Sequence, residues 1–374
     1  MIVKDVKIEG FKSYGTGLEN LELDRINVLI GANGAGKSNF ISFIELLSAI
    51  ATDRLGKYVA ENGYADALMH FGIKNTENIN VCVTLADDNE ELIYECSLQH
   101  GVNGELFVSR EAVGIAGNGD NEEKKWIYSI FGKSSILLND TDDDSIAIRR
   151  RISGFLAACR VYHFNDTSIT SKIRQPGSVW DHKYLRTDAG NLAAYLYHMK
   201  WEESLKPYYN RIVSFIREVF PRFHDFDLEL PYEGTDVKLS LTWYEKDCDE
   251  VFGPNAFSDG TLRFIALTTL LLQPAKYLPK VIVLDEPEIG LHPNAVSILA
   301  TMIRMASEYA QIIIATQSVE LLNEFEPEDI IIADYDDKKR TSVLKRPKYS
   351  ELEAWLEDYT LGDLWLKNVL GATP

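Results

Sequence analysis

Eight consecutive residues near the start of the chain have the types and spacing of a phosphate-binding loop. They match the pattern G-x-x-x-x-G-K-S and read Gly31-Ala32-Asn33-Gly34-Ala35-Gly36-Lys37-Ser38. Glycines let successive backbone N–H groups point at phosphate oxygens, and a helix that begins after the loop adds its partial positive charge. In such a loop Lys37 neutralises the β- and γ-phosphates, while Ser38 holds Mg²⁺. The segment predicts a nucleotide-phosphate site; the alternative is a glycine-rich turn without a ligand.

Two carboxylates lie much further along the chain, directly after an apolar run. Residues 281–284 are apolar and β-branched at three positions, and Asp285 and Glu286 follow them. This composition is typical of a buried strand, at whose end carboxylates face the phosphates in P-loop ATPases. Asp285 would then bind Mg²⁺, and Glu286 would be the general base for the attacking water. Read alone, the pair would indicate a solvated turn or a helix N-cap region.

The elements that must position these groups can be read from the flanking sequence. Residues 2–9 and 20–30 have the apolar patterns of strands, and residues 38–51 that of the helix below the phosphates. Further on, three strand-like segments separated by polar and glycine turns indicate an antiparallel meander; they are residues 79–85, 91–98 and 106–109. Residues 171–223 have the three- and four-residue spacings of helices.

Two hairpins are predicted in the second half of the chain. They pair residues 226–230 with 237–244, and residues 329–333 with 341–346. The triplet Asp334-Tyr335-Asp336 mimics a metal-binding Asp-x-Asp motif, but no matching glutamate motif precedes it. We therefore assign the triplet to a turn.

Between the loop and the carboxylates, Ser258 and Gly260 stand at a predicted helix start, ahead of a long apolar stretch. Ser-x-Gly in this place resembles the signature motif of ABC-type ATPases. There the serine hydroxyl, the glycine amide and the helix dipole contact the γ-phosphate held by the opposite subunit. The alternative is an ordinary N-cap by Ser258 or Asp259. The order of the motifs and the spacing to Asp285 favour the signature.

Further segments resemble the branch of ABC-type ATPases that contains RecF, the heads of structural-maintenance-of-chromosomes (SMC) proteins and the overcoming-lysogenization-defect (OLD) nucleases. Residues 287–293 resemble the D-loop, residues 10–14 resemble the element that places a basic residue, here Lys12, near the nucleotide, and Asn39 follows the Gly-Lys-Ser triplet as in this branch. Gln317 stands where many members carry a switch histidine. Because a glutamine donates to the γ-phosphate but cannot accept a proton, an acid/base role there is in doubt.

The resemblance covers residues 1–51 and 250–335; more loosely, the whole chain resembles stand-alone bacterial AAA_21-type ATPases. It implies an α/β fold, the ABC-ATPase head, in which a P-loop core sheet and an antiparallel β-subdomain carry a short helical insertion. It also implies ATP and Mg²⁺ as ligands and a head-to-tail homodimer, each copy lending Ser258 and Gly260 to the other. The predicted parts are an N-terminal lobe, a helical arm and a C-terminal lobe at residues 1–168, 169–225 and 226–374.

Composition limits the partners and the compartment. With 38 basic and 57 acidic residues, the net charge is −19, so attraction to nucleic acid or an anionic membrane cannot come from overall charge. The four cysteines stand singly, without metal-ligand or disulfide spacing. No apolar run reaches the roughly 18 residues of a membrane span, and no N-terminal signal is visible. We expect a soluble, cytoplasmic protein without a zinc site.

Several segments leave alternatives open. Residues 140–144 are predicted to form a solvated acidic turn rather than a calcium site, and the arginines at 149–151 to pair with those aspartates rather than bind DNA. His163, Asn165 or Asp166 would replace the glutamine that ABC heads carry in their Q-loop. The helical arm mixes aromatic with basic residues, which suits nucleic acid, a partner protein or ordinary helix packing; the basic ones are Lys172, Arg174, Lys183, Arg186 and Lys200.

No constellation for nuclease, protease or transferase chemistry is visible, so chemistry beyond ATP hydrolysis is expected in another chain. Relatives of the AAA_21 type are linked to phage defence or toxin-type systems. The resemblance therefore implies an ATPase that drives or gates a DNA-related process, above all prokaryotic antiphage defence with a partner nuclease or effector, with or without direct DNA contact. The alternatives are a slow-cycling switch that holds a toxin partner and a RecF-like DNA-repair ATPase.

Overall fold

The computed structural model describes residues 1–87, 90–116, 125–127, 135–138, 146–230 and 237–371. The chain divides into two compact units, each assembled from separate stretches of sequence. The first unit contains Met1–Arg160, Pro279–Val283 and Glu326–Pro374, and the second contains Val161–Leu278 and Leu284–Phe325. The predicted division at residues 168 and 225 stays a prediction.

Strands and helices are interspersed along the described residues. The strands are β1 (Ile2–Glu9), β2 (Leu21–Glu22), β3 (Ile26–Ile30), β4 (Asn78–Ala86), β5 (Glu91–His100), β6 (Leu106–Ile115), β7 (Lys125–Ile127), β8 (Cys159–Tyr162), β9 (Gly177–Ser178), β10 (Phe223–Asp227), β11 (Lys238–Leu239), β12 (Thr242–Glu245), β13 (Val251–Phe252), β14 (Val281–Asp285), β15 (Gln311–Ala315), β16 (Ile330–Asp336) and β17 (Thr341–Lys345). The helices are α1 (Lys37–Ala51), α2 (Leu55–Glu61), α3 (Tyr64–Leu68), α4 (Ile146–Ala157), α5 (Leu192–Trp201), α6 (Lys206–Val219), α7 (Asp259–Leu272), α8 (Pro293–Ser307), α9 (Val319–Leu322), α10 (Tyr349–Leu356) and α11 (Leu361–Leu366).

An antiparallel sheet forms one part of the first unit. Its order is β2-β1-β4-β5-β6-β7, and Val81 of β4 lies between Ile8 of β1 and Cys96 of β5. One face is apolar because buried and partly exposed residues alternate along β1 and β5, as in a sheet with one solvated side. The predicted meander is confirmed, and each of its strands extends one to six residues beyond the predicted bounds.

The other part of the first unit carries the phosphate loop. Every residue of β3 is buried, β16 pairs with β3 in parallel, and β17 pairs with β16 antiparallel. The second predicted hairpin is therefore confirmed. The assignment of residues 334–336 to a turn is wrong, because they still pair with Ser342 and its neighbours in β17. The turn begins at Asp336, whose carboxylate accepts the N–H groups of Lys338 and Lys339 at 2.9 and 3.0 Å.

The second unit contains an aromatic core formed by residues of β10 and β12, the C-cap of α6 and the segment before α7. Trp243 stacks on Phe257 with ring centroids 4.5 Å apart, and Phe220 and Phe223 pack against both rings. The first predicted hairpin is partly wrong. The strand β10 pairs with β12 as expected, but β11 pairs with β9. The N–H of Val179 donates to Val237, which continues this second pairing.

The remaining expectations have mixed outcomes. Arg151 is ion-paired, but its partners are Asp87, at 2.9 Å, and Glu90. The loop at residues 140–144, with its predicted acidic turn, lies outside the described residues. The cysteines among the described residues are free thiols. Over the same parts of the chain, no helix combines the length and the apolar composition that crossing a membrane requires.

Candidate functional site

The phosphate loop joins β3 to α1 with a backbone that only glycine adopts readily. Gly31, Gly34 and Gly36 have φ angles of +149°, +83° and +117°, in the region that disfavours L side chains. Between them, the N–H of Ala35 donates to the carbonyl of Ala32 at 3.1 Å, which closes the turn. The glycine spacing noted in the sequence thus corresponds to three positions where the backbone needs glycine.

At two of these positions, close contacts are a second reason, besides the positive φ, why only glycine fits. A Cβ on Gly31 would lie 2.1 Å from the carbonyl oxygen of Ala333 in β16, and one on Gly36 would lie 2.6 Å from the hydroxyl of Ser342 in β17. Gly34 has no heavy atom within 4 Å of such a position. The two ends of the loop are therefore packed against the β16–β17 hairpin, and its middle is open.

Lys37 lies inside the curve of the loop. It is 7% exposed, and its ammonium donates to the carbonyl oxygens of Gly31 and, at 3.2 Å, Ala32. The carbonyl oxygens of the loop thus hold the ammonium group next to its backbone. Ser38, one residue into α1, is exposed, and so is Asn33 on the rim of the loop. Lys37 and Ser38 thus present a cation and a hydroxyl at the start of α1.

A groove beside the loop contains Lys12 and Asn39. The Lys12 ammonium donates to the Ser42 hydroxyl at 2.7 Å, and the Asn39 amide donates to the Ser13 hydroxyl at 2.7 Å. Burial lowers the pKa of Lys12 from its usual value, although nearby Glu45 acts in the opposite direction. The groove has a volume of 690 Å³. The basic residue singled out in the sequence thus lies next to α1, within reach of its first turns.

In the second unit, Asp285 and Glu286 end β14 with an unusual backbone turn. Glu286 has φ +46°, and its N–H donates to the carbonyl of Ala315 in β15 at 2.8 Å. The amide of Asn165 donates to the Asp285 carbonyl oxygen at 3.3 Å. Asp166 instead binds the hydroxyl and N–H of Ser168. Of the Q-loop candidates, Asn165 is thus the one whose side chain reaches the backbone of Asp285.

Gln317 lies against Glu286. Its amide donates to Glu286 Oε1 at 2.5 Å, so the glutamine holds one oxygen of the carboxylate. A histidine could share a proton at this place, whereas the amide only orients the carboxylate. The preceding residue, Thr316, is fully buried and donates its hydroxyl to Glu288 Oε1 at 2.5 Å. Glu288 and Thr316 were not among the sequence-predicted site residues. Glu288 lies in the predicted D-loop, but its contact with Thr316, 28 positions away, cannot be read from the sequence.

The signature segment has the features of both interpretations made from the sequence. Ser258 is the N-cap of α7, because the N–H of Thr261 donates to its hydroxyl at 3.2 Å, and Ser258 is exposed. A Cβ on Gly260 would lie 2.1 Å from the carbonyl oxygen of Gly290. A side chain larger than that of glycine would therefore overlap with the backbone at position 260, because the start of α7 touches the segment after Glu286. The sequence did not reveal this requirement.

Arg174 has a different place from the one expected. It was assigned to the basic face of the helical arm, but it is only 8% exposed. Its guanidinium donates to the carbonyls of Thr167 and Pro254, at 2.7 and 2.6 Å, and to the Asp259 carboxylate at 2.7 Å. Weaker bonds reach the carbonyl of Phe257. Arg174 therefore holds the segment that leads into Ser258.

A second buried arginine connects α7 with Asn165. Arg263 donates to the carbonyls of Phe164 and Asn165, both at 3.1 Å. Burial lowers the pKa of this guanidinium, and the charges of Asp259 and Glu288 act in the opposite direction. Arg263 of α7 thus contacts the backbone of Asn165, and the Asn165 side chain contacts the backbone of Asp285. The residues around the two carboxylates thus come from four distant segments of the second unit.

Comparisons with known proteins agree with this architecture. A family model described as "AAA ATPase domain" matches residues 1–194, and one described as "AAA domain, putative AbiEii toxin, Type IV TA system" matches residues 171–323. Among curated proteins, urease accessory protein 2 of Cryptococcus neoformans var. grubii is 32% identical over 139 residues, which is 36% of this chain and 10% of that protein. SMC protein 3 of Arabidopsis thaliana is 34% identical over 92 residues, 24% of this chain and 7% of that protein.

Solved SMC heads share the fold. A head bound to the C-winged helix domain of ScpA superposes with a TM-score of 0.59 at 16% identity, over 96% of this chain and 100% of that chain. A head from Pyrococcus furiosus gives 0.57 at 15% identity, over 96% and 99%. These identities show the fold alone. The chain has the mixed α/β fold of an SMC ATPase head, as the motifs predicted. The segments that it shares with the two curated relatives are only 10% and 7% of their lengths.

Proposed function

Because this chain belongs to the AAA ATPase domain family and has the fold of SMC heads, we propose that the loop at residues 31–38 holds the phosphates of ATP. The observation that carries this proposal is the loop itself, with three glycines at positive φ and the buried ammonium of Lys37 at its base. Backbone N–H groups and the start of α1 supply the remaining positive potential. Lys12 and Asn39 lie beside this loop and would contact the same nucleotide.

Two of the sequence-predicted residues offer oxygen donors of the kind that Mg²⁺ takes. The cation prefers hydroxyl, carboxylate and phosphate oxygens. Ser38 presents an exposed hydroxyl and Asp285 a partly exposed carboxylate, so these two residues would hold it. When bound, Mg²⁺ neutralises charge on the β- and γ-phosphates.

Glu286 is the general base in this proposal. Its carboxylate is partly exposed, and one of its oxygens accepts from Gln317, which leaves the other available to a water molecule. Gln317 cannot take the proton itself, so the proton passes to Glu286. The family's switch position therefore orients the base in this chain.

ATP binding joins two copies head to tail, with Ser258 and Gly260 of one copy at the γ-phosphate of the other. The exposed Ser258 hydroxyl at the start of the 14-residue helix α7 supports this role, because a helix start of that length attracts an anion. Hydrolysis then removes the shared phosphate and separates the copies.

The biological output is a DNA-related process, above all antiphage defence in which a separate nuclease or effector does the cutting. Among the described residues, no cluster of three or more His, Cys, Asp or Glu side chains is arranged to hold a metal ion. The second candidate is an ATP-dependent switch that holds a toxin silent. It is favoured by the toxin named in one family description and by the net charge of −19, which disfavours free contact with DNA. A RecF-like repair ATPase is a third form of the same activity.

The test compares the wild-type chain with Glu286→Gln. In this variant the amide oxygen of the introduced glutamine replaces the carboxylate oxygen that accepts from Gln317, but the side chain can no longer take a proton. We therefore expect ATP turnover to fall by about 10²–10⁴-fold, with ATP binding retained. Light scattering coupled to size exclusion should then show an ATP-dependent dimer. A variant that hydrolyses ATP like the wild type, or stays monomeric with bound ATP, contradicts the proposal. ATP turnover that DNA stimulates would indicate the DNA-related process, whereas a protein partner that co-purifies with the chain would indicate the toxin switch.

A further inference from the structure

A buried carboxyl group beside the proposed base has no role in the function given above. Glu288 is 9% exposed, and its Oε1 accepts the Thr316 hydroxyl at 2.5 Å. Its other oxygen, Oε2, is buried without a hydrogen-bond partner in the described part of the chain. Burial raises the pKa of Glu288. Hydrogen bonding by the Thr316 hydroxyl and by the backbone N–H groups of Glu288 and Gln317 acts in the opposite direction, and the nearby charge of Glu286 raises the pKa further.

An unpartnered buried carboxyl oxygen destabilises a fold. Leaving such a group without a hydrogen bond carries a desolvation penalty, which an apolar side chain of similar size would avoid. The chain nevertheless places a glutamate here, three residues after the end of β14. Its interactions are directed toward Thr316, and therefore toward the segment that carries Gln317.

The contacts form a short series that ends at the base. Glu288 accepts from Thr316, and the Thr316 hydroxyl also accepts the N–H of Ser318 at 2.9 Å. The backbone on both sides of Gln317 is thereby fixed, and the Gln317 amide reaches Glu286 Oε1 at 2.5 Å. The backbone of Glu286 is left-handed, at φ +46°, and the Gln317 amide holds one oxygen of its carboxylate.

We propose that Glu288 is a positioning residue for ATP hydrolysis. Through Thr316 it fixes Gln317 against Glu286, and so aims the Glu286 carboxylate at the attacking water. This inference rests on the proposed function of Glu286 as the general base. What matters at position 288 is an acceptor oxygen for Thr316, and not a negative charge.

Two substitutions at position 288 test this. Glu288→Gln keeps an acceptor for Thr316 and places an amide where Oε2 lies, so kcat should stay within about threefold of the wild type. Glu288→Ala removes the acceptor, so kcat should fall about tenfold or more while the affinity for ATP, measured by equilibrium binding, stays within about threefold. If Glu288→Ala retains the wild-type kcat, or if Glu288→Gln loses as much as Glu288→Ala, the proposal is wrong.

Thr316 provides a second pair in case Glu288→Ala does not fold. Thr316→Ser keeps the hydroxyl and should keep kcat, and Thr316→Val loses it and should resemble Glu288→Ala. The pathway through Gln317 is tested with the double variant Glu288→Ala/Gln317→Ala. Its loss of kcat should be much smaller than the product of the losses in the two single variants. Independent, multiplying effects overturn the proposal. Glu286→Gln is the reference: if it hydrolyses ATP normally, the proposed base is wrong, whereas a loss there with no loss in Glu288→Ala or Thr316→Val rejects only the role of Glu288.

Discussion

The phosphate loop in the first unit consists mainly of backbone groups, whereas the carboxylate region in the second unit consists mainly of side-chain groups. The loop uses backbone: three glycines at positive φ and the carbonyls that receive Lys37. The carboxylate region uses side chains from distant segments. Their amide, hydroxyl and guanidinium groups donate to Asp285, Glu286, Glu288 and Asn165. A backbone-built site should fail abruptly when a Cβ intrudes, whereas a site built from side chains should lose activity in steps.

The largest effect is expected at Lys37, whose buried ammonium is bound by the loop carbonyls of Gly31 and Ala32. Lys37→Ala removes the buried ammonium, so ATP turnover should fall by about 10²–10³-fold, and ATP binding should weaken as well. The measurement is ATP hydrolysis together with equilibrium binding of the nucleotide. Lys12→Ala is the matched control, because Lys12 lies beside the loop and not within it, and a smaller loss is expected there. Equal losses in the two variants would remove the distinction between the loop and its surroundings.

The next effect tests the claim that the loop is made of backbone. Gly31→Ala places a methyl group against the carbonyl of Ala333 at a φ of +149°, so the free energy of unfolding should fall by about 3 kcal/mol. Gly34→Ala has open space and only the backbone strain, so about 1 kcal/mol is expected. Urea unfolding followed by circular dichroism measures both. Similar losses would mean that contact with β16 does not decide the requirement for glycine.

A third test concerns the side chains that hold the signature segment. Arg174→Ala leaves the carbonyls of Thr167 and Pro254 without their donor, so the free energy of unfolding should fall by about 2–4 kcal/mol. Asp259→Asn is the control, because that carboxylate is 69% exposed and its pairing with Arg174 is screened by water. The variant Arg174→Ala should also need more ATP to dimerise. If Asp259→Asn is as damaging, the ion pair and not the backbone contacts carries the interaction.

The smallest effect concerns pH and α5 in the second unit. The ring of His198 stacks on that of His182 with centroids 4.4 Å apart. Burial and His182 lower the pKa of His198, and Glu202 opposes them. The unfolded chain therefore binds this proton at a higher pH than the folded chain, so stability should decrease as the pH falls below about 6.5. His198→Gln should lose less stability than the wild type between about pH 7.5 and 5.5; parallel unfolding curves would contradict this.

The sequence predicted the loop and its flanking elements because each depends on local rules. Buried β3, the glycines and the start of α1 follow one another without a gap, so period and residue type were sufficient. The end of β14 was found for the same reason. At these positions the local structure depends mainly on residues that are close in the sequence.

The supporting residues could not be predicted, because their roles depend on which segments the fold brings together. Arg174 has the composition of a surface arginine, and only the burial of its guanidinium against residues 254–259 reveals its function. Glu288 belongs to a recognisable motif, but its partner Thr316 lies 28 positions away. The hairpin around residue 237 was misassigned in part because β9, its second partner, is only two residues long.

The contact between Gly260 and Gly290 has a practical consequence for following this protein in solution. Because backbone meets backbone there, a displacement at the start of α7 passes to the loop after Glu286 without any intervening side chain. Substitution scanning would therefore register only steric overlap at Gly260 and backbone strain at Gly290. Isotopic labelling of the glycines would instead report the two resonances, and they should move together when nucleotide is added.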